Sequence, residues 1–349
     1  MLELRSVAKR IGAFEIHEVS LRIPEGEYFV LLGPSGVGKT VLIELIAGIA
    51  KPDSGSIIWR GRDVTNDPPE TRRFAVVYQD CALFPHMTVE KNLAYGLRRR
   101  PGEQAHRLEE LALRYGIAHL LHRRPEGLSR GEQQRVAIAR AVVGEPELLL
   151  LDEPFASLDP NSRMRFRTEI KRIRSDPAGG NEQRKLTILH VTHDLEEAMS
   201  LGDRVGMMLD GTIRQCGSPQ ELFRKPSSRE VADFLGMRNV FAVTYVREGV
   251  CKAGGLEIYA AEAVEPVSHV WIRPEEIVLS TNRFESSARN QFWGRVIDWD
   301  YSGPLIAVRV ACGGLILSAL ITHASFEQLR LESGSEVCVT FKSSSVHTF

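Results

Sequence analysis

The chain has 349 residues, of which 43% are hydrophobic and 26% are charged, a balance typical of a globular protein with two or three domains. Its formal net charge of -1 gives no indication of a nucleic-acid partner or of attraction to an acidic membrane surface. No apolar run approaches the roughly 18 residues that a membrane-spanning helix requires. Any membrane association is therefore expected to depend on a partner.

The N-terminal sequence and the cysteines indicate a cytosolic protein. The chain begins MLELRSVAK, without the apolar segment of a secretory signal peptide. The cysteines lack the spacing of a metal site, and we expect them to be reduced thiols. They are Cys81, Cys216, Cys251, Cys312 and Cys338.

A phosphate-binding pattern, G-x-x-x-x-G-K-[ST], follows the first predicted buried strand. Residues 27–32 (EYFVLL) form that strand and residues 40–50 (TVLIELIAGIA) the helix behind it, as in a parallel α/β core. The glycines let backbone N–H groups curl around phosphate oxygens at a helix N-terminus. Lys39 is predicted to reach the β- and γ-phosphates of ATP, and the Thr40 hydroxyl to ligate Mg²⁺. The predicted ATP-binding loop consists of Gly33, Pro34, Ser35, Gly36, Val37, Gly38, Lys39 and Thr40.

The middle of the chain is predicted to be helical, with the second half of the sheet after it. Helical periodicity runs from residue 89 to residue 140, and we place a helical subdomain at about residues 86–145. Strands are predicted again at residues 147–151 (ELLLL) and 186–192 (LTILHVT). Asp210-Gly211 is typical of a hairpin turn.

Two acids end the apolar run LLLLDE at residues 148–153. Acids at the end of a buried strand are costly unless they face a cation or hydrogen-bond donors. Asp152 is predicted to hold Mg²⁺, through water, and Glu153 to polarise the attacking water. Such acids are often only solvated, but the phosphate loop upstream favours the catalytic interpretation.

Several further motifs resemble those of the ABC ATPases. Residues 128–135 (LSRGEQQR) resemble the signature motif, and residues 157–159 (SLD) the D-loop. Gln79 in VVYQD resembles the Q-loop glutamine, and His193 in VTHD the switch histidine. Together these motifs cover roughly residues 1–235 in the order of that family. The resemblance implies a P-loop α/β ATPase with a helical subdomain.

The resemblance also implies a head-to-tail dimer with two ATP molecules between its subunits. Each ATP would lie on the phosphate loop of one subunit and on Ser129 and Gly131 of the other. The implied catalytic residues are Glu153, His193 and Gln79, and the implied Mg²⁺ ligands are Thr40, Gln79 and Asp152. The implied ATP contacts outside the phosphate loop are Ser129, Gly131, Glu132 and Asp159.

This sequence departs from the family pattern at two places. Arg130 and Glu132 stand where Gly and Gln are usual in the signature motif. Because Ser129 and Gly131 are kept, we expect activity to survive. Ile11 occupies the position at which an aromatic residue commonly stacks on adenine, and Phe14 is the nearest ring.

Short alternating strands replace the helical patterns after about residue 239, which predicts a small β-barrel. We therefore predict an ATPase domain at residues 1–235 and a β-rich, OB-like regulatory domain at residues 236–349. Ile272-Arg273-Pro274-Glu275 resembles a motif of regulatory domains in several importer ATPases.

Three further segments, SARN at 287–290, IT at 321–322 and FKSSSVH at 341–347, resemble the molybdate-binding (TOBE or Mop-like) module. That module occurs in oxyanion storage proteins and in molybdate or tungstate importer ATPases, and the resemblance covers about residues 285–349. A tetrahedral dianion offers only acceptor oxygens, so its site needs cations, hydroxyls and N–H groups. The candidates are Ser287, Arg289, Thr322, Lys342 and Ser343. Polar strand ends without a ligand are the alternative.

The predicted function is ATP hydrolysis that drives molybdate or tungstate import, with feedback through the C-terminal anion site. The implied partners are a second copy, two transmembrane permease subunits and an extracytoplasmic oxyanion-binding protein, at the cytoplasmic face of the membrane. Alternatives are import of sulfate, ferric iron, a polyamine or a sugar. A non-transport ABC protein fits less well, because such proteins normally carry two fused cassettes or a long coiled coil and this chain has one cassette. A passive oxyanion buffer fits less well, because the phosphate and Mg²⁺ set of the cassette is complete.

Overall fold

A computed structural model describes residues 1–12, 14–97, 101–175, 185–261 and 266–349 of the chain. It divides into two compact units, Met1–Leu222 and Phe223–Phe349. The domain boundary predicted between residues 235 and 236 stays a prediction. Within the described ranges, no helix is long and apolar enough to cross a membrane.

The first unit alternates strands with helices. Its elements in chain order are β1 (Leu2–Ile11), β2 (Phe14–Ile23), β3 (Tyr28–Leu32), α1 (Lys39–Ala47), β4 (Ser54–Trp59), β5 (Arg62–Asp63), α2 (Pro69–Arg72), β6 (Phe74–Val77), α3 (Val89–Tyr95), α4 (Pro101–Arg114), α5 (Arg130–Val143), β7 (Leu148–Asp152), α6 (Pro160–Ser175), β8 (Thr187–Thr192), α7 (Leu195–Leu201), β9 (Arg204–Leu209), β10 (Thr212–Gly217) and α8 (Pro219–Arg224). Short 3-10 helices lie at Ala118–Leu120 and Pro125–Gly127.

A six-stranded sheet of order β10-β9-β3-β8-β7-β6 forms the centre of this unit. Its strands run parallel except β10, which pairs antiparallel with β9. The hairpin predicted at Asp210-Gly211 is confirmed, since those residues join β9 to β10. β3, β7 and β8 are buried along their whole length, because elements cover both faces of a parallel sheet. The carboxyl ends of these three strands therefore meet at one edge.

A second, antiparallel sheet of order β2-β1-β4-β5 shares its hydrophobic core with α1 and the central sheet. Leu4 and Ile57 of this sheet, Leu42 of α1 and Leu31 of β3 belong to one buried cluster. Burial of an aliphatic side chain of this size stabilises the fold by about 1.5–3 kcal/mol. The helix that follows the phosphate loop is thus fixed between two sheets. Between β6 and β7, α3 and α5 pack together and both contact α4.

The second unit is mainly β. Its elements are α9 (Arg229–Phe234), β11 (Val240–Ala242), β12 (Tyr245–Arg247), β13 (Val250–Ala253), β14 (Leu256–Tyr259), β15 (His269–Ile272), β16 (Val278–Ser280), β17 (Asn290–Ser302), β18 (Leu305–Cys312), β19 (Leu315–Thr322), α10 (His323–Leu329), β20 (Glu336–Phe341) and β21 (Val346–Thr348). The sheets have the orders β11-β15-β21, β12-β13-β14 and β16-β20-β17-β18-β19.

Every pairing described in the second unit is antiparallel. The sheets enclose one core, to which Ile272, Val308, Val339 and Phe341 contribute. An α/β unit followed by a small antiparallel β unit confirms the predicted fold classes.

Candidate functional site

The predicted phosphate loop joins the end of β3 to the start of α1. Gly38 has a left-handed backbone (φ 96°) and lies directly before α1. A Cβ atom at this position would overlap the Phe14 ring, and one at Gly33 would overlap the carbonyl oxygen of Met208. Only glycine therefore fits at these two positions, and the loop keeps the tight curve that exposes its N–H groups.

Lys39 extends back across this loop. Its Nζ donates hydrogen bonds to the carbonyl oxygens of Gly33 (2.8 Å) and Pro34 (2.8 Å) and lies 3.8 Å from Glu153 Oε1. Burial lowers the pKa of Lys39, and the charges of Glu153 and Asp152 oppose that shift. The loop thus holds the Lys39 ammonium group at its centre, in a position to bind phosphate oxygens.

Asp152 and the Thr40 hydroxyl form an oxygen-rich edge beside the loop. Thr40 Oγ1 donates to Asp152 Oδ1 at 3.1 Å, and Gln79 lines the same cavity of about 480 Å³ as Asp152. Burial raises the pKa of Asp152 despite the Thr40 hydrogen bond, so its charge is incompletely compensated. Hydroxyl, amide and carboxylate oxygens suit Mg²⁺. The residues present therefore fit the predicted ion.

Glu153 lies between two basic side chains. His193 Nδ1 is 3.0 Å from Glu153 Oε2, and Lys39 approaches the other carboxylate oxygen. The backbone of Glu153 is left-handed (φ 45°), which is strained for a non-glycine residue and common at functional sites. The structure thus brings together five of the predicted residues, at the carboxyl ends of β3, β7 and β8. These are Lys39, Thr40, Asp152, Glu153 and His193.

A buried polar network behind His193 was missed by the sequence reasoning. His190 is fully buried, and its Nδ1 lies 3.0 Å from the Tyr28 hydroxyl. Its Nε2 lies 3.4 Å from Glu197, which accepts a hydrogen bond from the Thr192 hydroxyl at 2.6 Å. Thr192 Oγ1 in turn accepts from the backbone N–H of Asp194 at 3.0 Å. A second histidine inside the apolar run LTILHVT was the signal that could have revealed this support.

The signature segment begins helix α5. Ser129 caps this helix, and its N–H and hydroxyl donate to Glu132 Oε2 at 2.7 and 2.8 Å. The hydrogen bond from the Ser129 backbone N–H lowers the pKa of Glu132 most. Glu132 at the usual Gln position thus completes a capping box, while Arg130 lines the cavity that contains Gln79. Asp159 similarly accepts from Ser162 N (3.0 Å) at the start of α6.

The turn between β1 and β2 carries Ile11 and Phe14, the two residues considered for contact with adenine. Ile11 is 48% exposed and lies at the end of β1. Phe14 begins β2 and packs against Gly38. The Phe14 ring therefore lies directly against the phosphate loop, although the two are far apart in the sequence.

The segment after Gln79 carries a half-buried aromatic side chain. Phe84 lies 4.6 Å, between ring centroids, from Tyr95, which is 67% exposed. The Arg140 guanidinium lies 5.4 Å from the Phe84 ring centroid. Phe84 is thus neither a core residue nor fully exposed, and it belongs to a small aromatic surface that includes Tyr95.

Four of the five predicted anion-binding residues lie at one end of the β17–β20 pair. Asn290 pairs with Phe341, so Arg289 and Lys342 each adjoin this last paired position, and Ser287 and Ser343 are close to them in the sequence. Those four residues are all at least partly exposed. The Arg289 guanidinium lies 4.1 Å from the centroid of the Tyr259 ring.

Thr322 does not join them within one chain. It pairs with Leu305, which pairs with Ser302 at the other end of β17. Its hydroxyl caps α10 by accepting a hydrogen bond from Ser325 N at 3.1 Å. The predicted five-residue set is therefore split between two ends of the sheet.

Comparisons with known proteins agree with both units. Residues 16–156 match the ABC transporter family, and residues 286–348 match the TOBE domain. The chain is 47% identical to the molybdate/tungstate import ATP-binding protein WtpC of Pyrococcus abyssi, over the whole of both chains. It is 38% identical to a sulfate/thiosulfate import ATP-binding protein CysA 2 of Chromobacterium violaceum, over all of this chain and 95% of the relative.

A solved structure of the ATP-binding cassette MJ0796, a dimer bound to ADP and Pi in a post-hydrolysis state, is also similar. Its sequence identity to this chain is 28% and its TM-score is 0.54, with 63% of this chain and 99% of that chain covered.

Proposed function

Because this chain belongs to the family of ABC transporter ATP-binding proteins, we propose that it is the ATP-hydrolysing subunit of an importer for molybdate or tungstate. The observation that carries the ATPase assignment is the convergence of Lys39, Thr40, Asp152, Glu153 and His193 at one sheet edge. The solute assignment is supported by the identity to molybdate/tungstate import proteins along the whole chain.

The side chains divide the hydrolysis reaction between them. Lys39 and the loop N–H groups bind the phosphates and stabilise the charge that develops on them. Glu153 accepts a proton from the attacking water or orients it, and His193, 3.0 Å from the Glu153 carboxylate, would hold that group in place and reach the γ-phosphate of a bound ATP. Thr40, Gln79 and Asp152 would hold Mg²⁺, and the ion would supply positive charge that offsets the negative charge of the phosphates.

The ATPase assignment implies a second copy of the chain and a membrane partner. Ser129 and Gly131 begin a helix whose N-terminal N–H groups suit a phosphate, and we propose that they serve the ATP of the opposite subunit. Two permease subunits, fed by an extracytoplasmic oxyanion-binding protein, would hold the dimer at the cytoplasmic face of the membrane. The surface formed by Phe84 and Tyr95 is the proposed permease contact.

The split anion set supports a site formed between two copies. Arg289 and Lys342 supply charge at one end of the sheet, and Thr322 supplies a hydroxyl at the other. A neighbouring copy can bring the second end against the first. Bound anion would then favour one arrangement of the two subunits, and a ligand shifts such an equilibrium only through different affinities for the two states. We propose that this is how cytosolic anion inhibits import.

Sulfate import is the second candidate, since a sulfate/thiosulfate import protein is also similar over the full chain. Calorimetry of the purified chain against molybdate, tungstate, sulfate and phosphate distinguishes the two. Binding of molybdate and tungstate, weakened by about 10- to 100-fold in Arg289→Ala and Lys342→Ala through the loss of charge-assisted hydrogen bonds, supports the proposal. Binding of sulfate alone overturns it.

The feedback proposal has a separate test. ATP-driven molybdate uptake is measured in vesicles that contain the whole transporter, with molybdate added on the ATPase side. Inhibition that is lost in the Arg289→Ala, Lys342→Ala double variant, at unchanged uninhibited uptake, supports the proposal. Inhibition that persists undiminished in this variant rules out the site as the sensor.

A further inference from the structure

Two consecutive residues after Gln79 have an unusual backbone. Cys81 (φ 65°) and Ala82 (φ 41°) are both left-handed, although neither is a glycine. An L-residue in this region is strained by its Cβ atom and keeps the conformation only where its surroundings hold it. The turn at Cys81-Ala82 therefore needs an external support.

Helix α5 supplies that support through two side chains. Arg140 Nη1 donates to the carbonyl oxygen of Ala82 at 2.8 Å, and Arg140 Nη2 donates to that of Cys81 at 3.1 Å. One turn and a half earlier on the helix, Gln134 Oε1 accepts from Cys81 Sγ at 2.7 Å. The strained turn is thus bound to the same helix that the signature serine, Ser129, begins.

Arg140 binds backbone carbonyl oxygens and not a carboxylate, and we call its pair of hydrogen bonds to Cys81 and Ala82 the clamp. Within the described part of the chain, no carboxylate lies within ion-pair distance of its guanidinium. Burial lowers the pKa of Arg140, while the nearby Cys81 and Tyr95 groups act in the opposite direction. A planar guanidinium suits this role, because two parallel N–H groups can reach two neighbouring carbonyl oxygens. Its outer face is covered by the Phe84 ring.

We infer that Arg140 is a positioning residue that links the Phe84 surface to Gln79. It fixes the turn that follows Gln79 and so sets where the Gln79 amide lies relative to Asp152, with which it shares a cavity. It also contacts the Phe84 ring, so a displacement of that ring by a partner moves the guanidinium and the turn. The kinetic part of this inference rests on the proposed ATPase function.

Hydrogen exchange provides a test that does not depend on activity. The amides of Cys81, Ala82 and Phe84 are hydrogen-bonded to Tyr78 O, Asp80 Oδ1 and Asn92 Oδ1. In Arg140→Met, which keeps an apolar contact with Phe84 but removes every donor, a peptide covering residues 78–85 is expected to exchange about 10-fold faster or more. The control is Arg172→Lys, which changes an exposed arginine on α6 and should leave the exchange of this peptide as in wild type.

Kinetics of the same proteins test the link to the active site. The kcat for ATP hydrolysis is expected to fall by about 10- to 100-fold in Arg140→Met, since small misplacements at a reacting centre have effects of this size. The KM for ATP stays within about twofold because the phosphate loop is unchanged. The Mg²⁺ concentration for half-maximal rate rises. Arg140→Lys keeps the positive charge but lacks the paired N–H donors of the guanidinium. Its kcat is expected to lie between those of wild type and Arg140→Met.

The outcomes separate the two proposals. Wild-type exchange at residues 78–85 with wild-type kcat in Arg140→Met overturns the clamp. If Arg140→Met and Arg140→Lys both fail to fold, or lose kcat only in proportion to folded protein, the residue is structural and the inference is wrong. A wild-type chain without ATPase activity contradicts the proposed function, while the exchange measurement still decides the clamp.

Discussion

Replacement of Asn92 by alanine should destabilise the first unit through the loop that carries Phe84. Asn92 is fully buried on α3. Its Oδ1 accepts from Phe84 N at 2.9 Å, and its Nδ2 donates to the carbonyl oxygens of Phe84, Met87 and Thr88 at 3.2, 3.3 and 3.1 Å. One amide side chain thus fixes the path of residues 84–88.

The loss of stability in Asn92→Ala depends on which groups lose a hydrogen-bond partner. The carbonyl oxygens of Phe84 and Thr88 also accept backbone hydrogen bonds, from Met87 N and Asn92 N, so they stay bonded. The Phe84 N–H and the Met87 carbonyl oxygen lose their Asn92 partner, and leaving a desolvated group without one costs about 1–3 kcal/mol. With the packing lost around the removed amide, we expect about 2–4 kcal/mol in total. For a unit of this size that corresponds to a Tm lower by about 4–16 °C.

The assay is calorimetric unfolding of the full chain, compared with Asn66→Ala, which alters an exposed asparagine of the same unit. The Asn66 variant should unfold at the wild-type temperature. A Tm shift of the Asn92 variant no larger than that of the control would refute the reasoning, because it would mean that water or a loop rearrangement replaces all four hydrogen bonds.

Three further predictions concern the nucleotide site. Glu153→Gln should bind ATP but hydrolyse it about 10²- to 10⁴-fold more slowly, since it removes a general base. A stable ATP-bound dimer in size-exclusion chromatography checks this, and wild-type turnover would contradict it. Burial raises the pKa of Asp152, so the folded state holds the proton of the Asp152 carboxyl group more tightly than the unfolded state does. The protonated Asp152 carboxyl therefore contributes to the free energy of unfolding at low pH. This contribution is lost as the pH rises from the ordinary aspartate pKa of 3.8 through the raised pKa of the folded state. At neutral pH Asp152→Asn should raise the Tm of the nucleotide-free protein and abolish its stabilisation by Mg²⁺ and ATP; a lower nucleotide-free Tm would sink this argument. Ile11→Trp should tighten nucleotide binding by about 1–3 kcal/mol if the new ring stacks on the base, measured with a fluorescent nucleotide. Unchanged affinity would indicate that Phe14 already provides the stack.

The sequence was sufficient for features whose parts are adjacent in the chain. The phosphate loop of residues 33–40 is one strand–turn–helix unit, so its glycines and Lys39 are readable from their spacing. The hairpin at Asp210-Gly211 depends on two residues. Such signals survive without knowledge of the rest of the fold.

The tertiary structure decided everything that depends on contacts between distant segments. Arg140 reaches Cys81 and Ala82 across a separation of almost 60 residues, and no local pattern marks it. The anion set shows the same limit. Arg289 and Lys342 are neighbours, and Thr322 is not, because strand register carries each residue to one end of β17 or the other. Register is fixed by burial of one face of the whole sheet, and that face exists only once the β unit has folded.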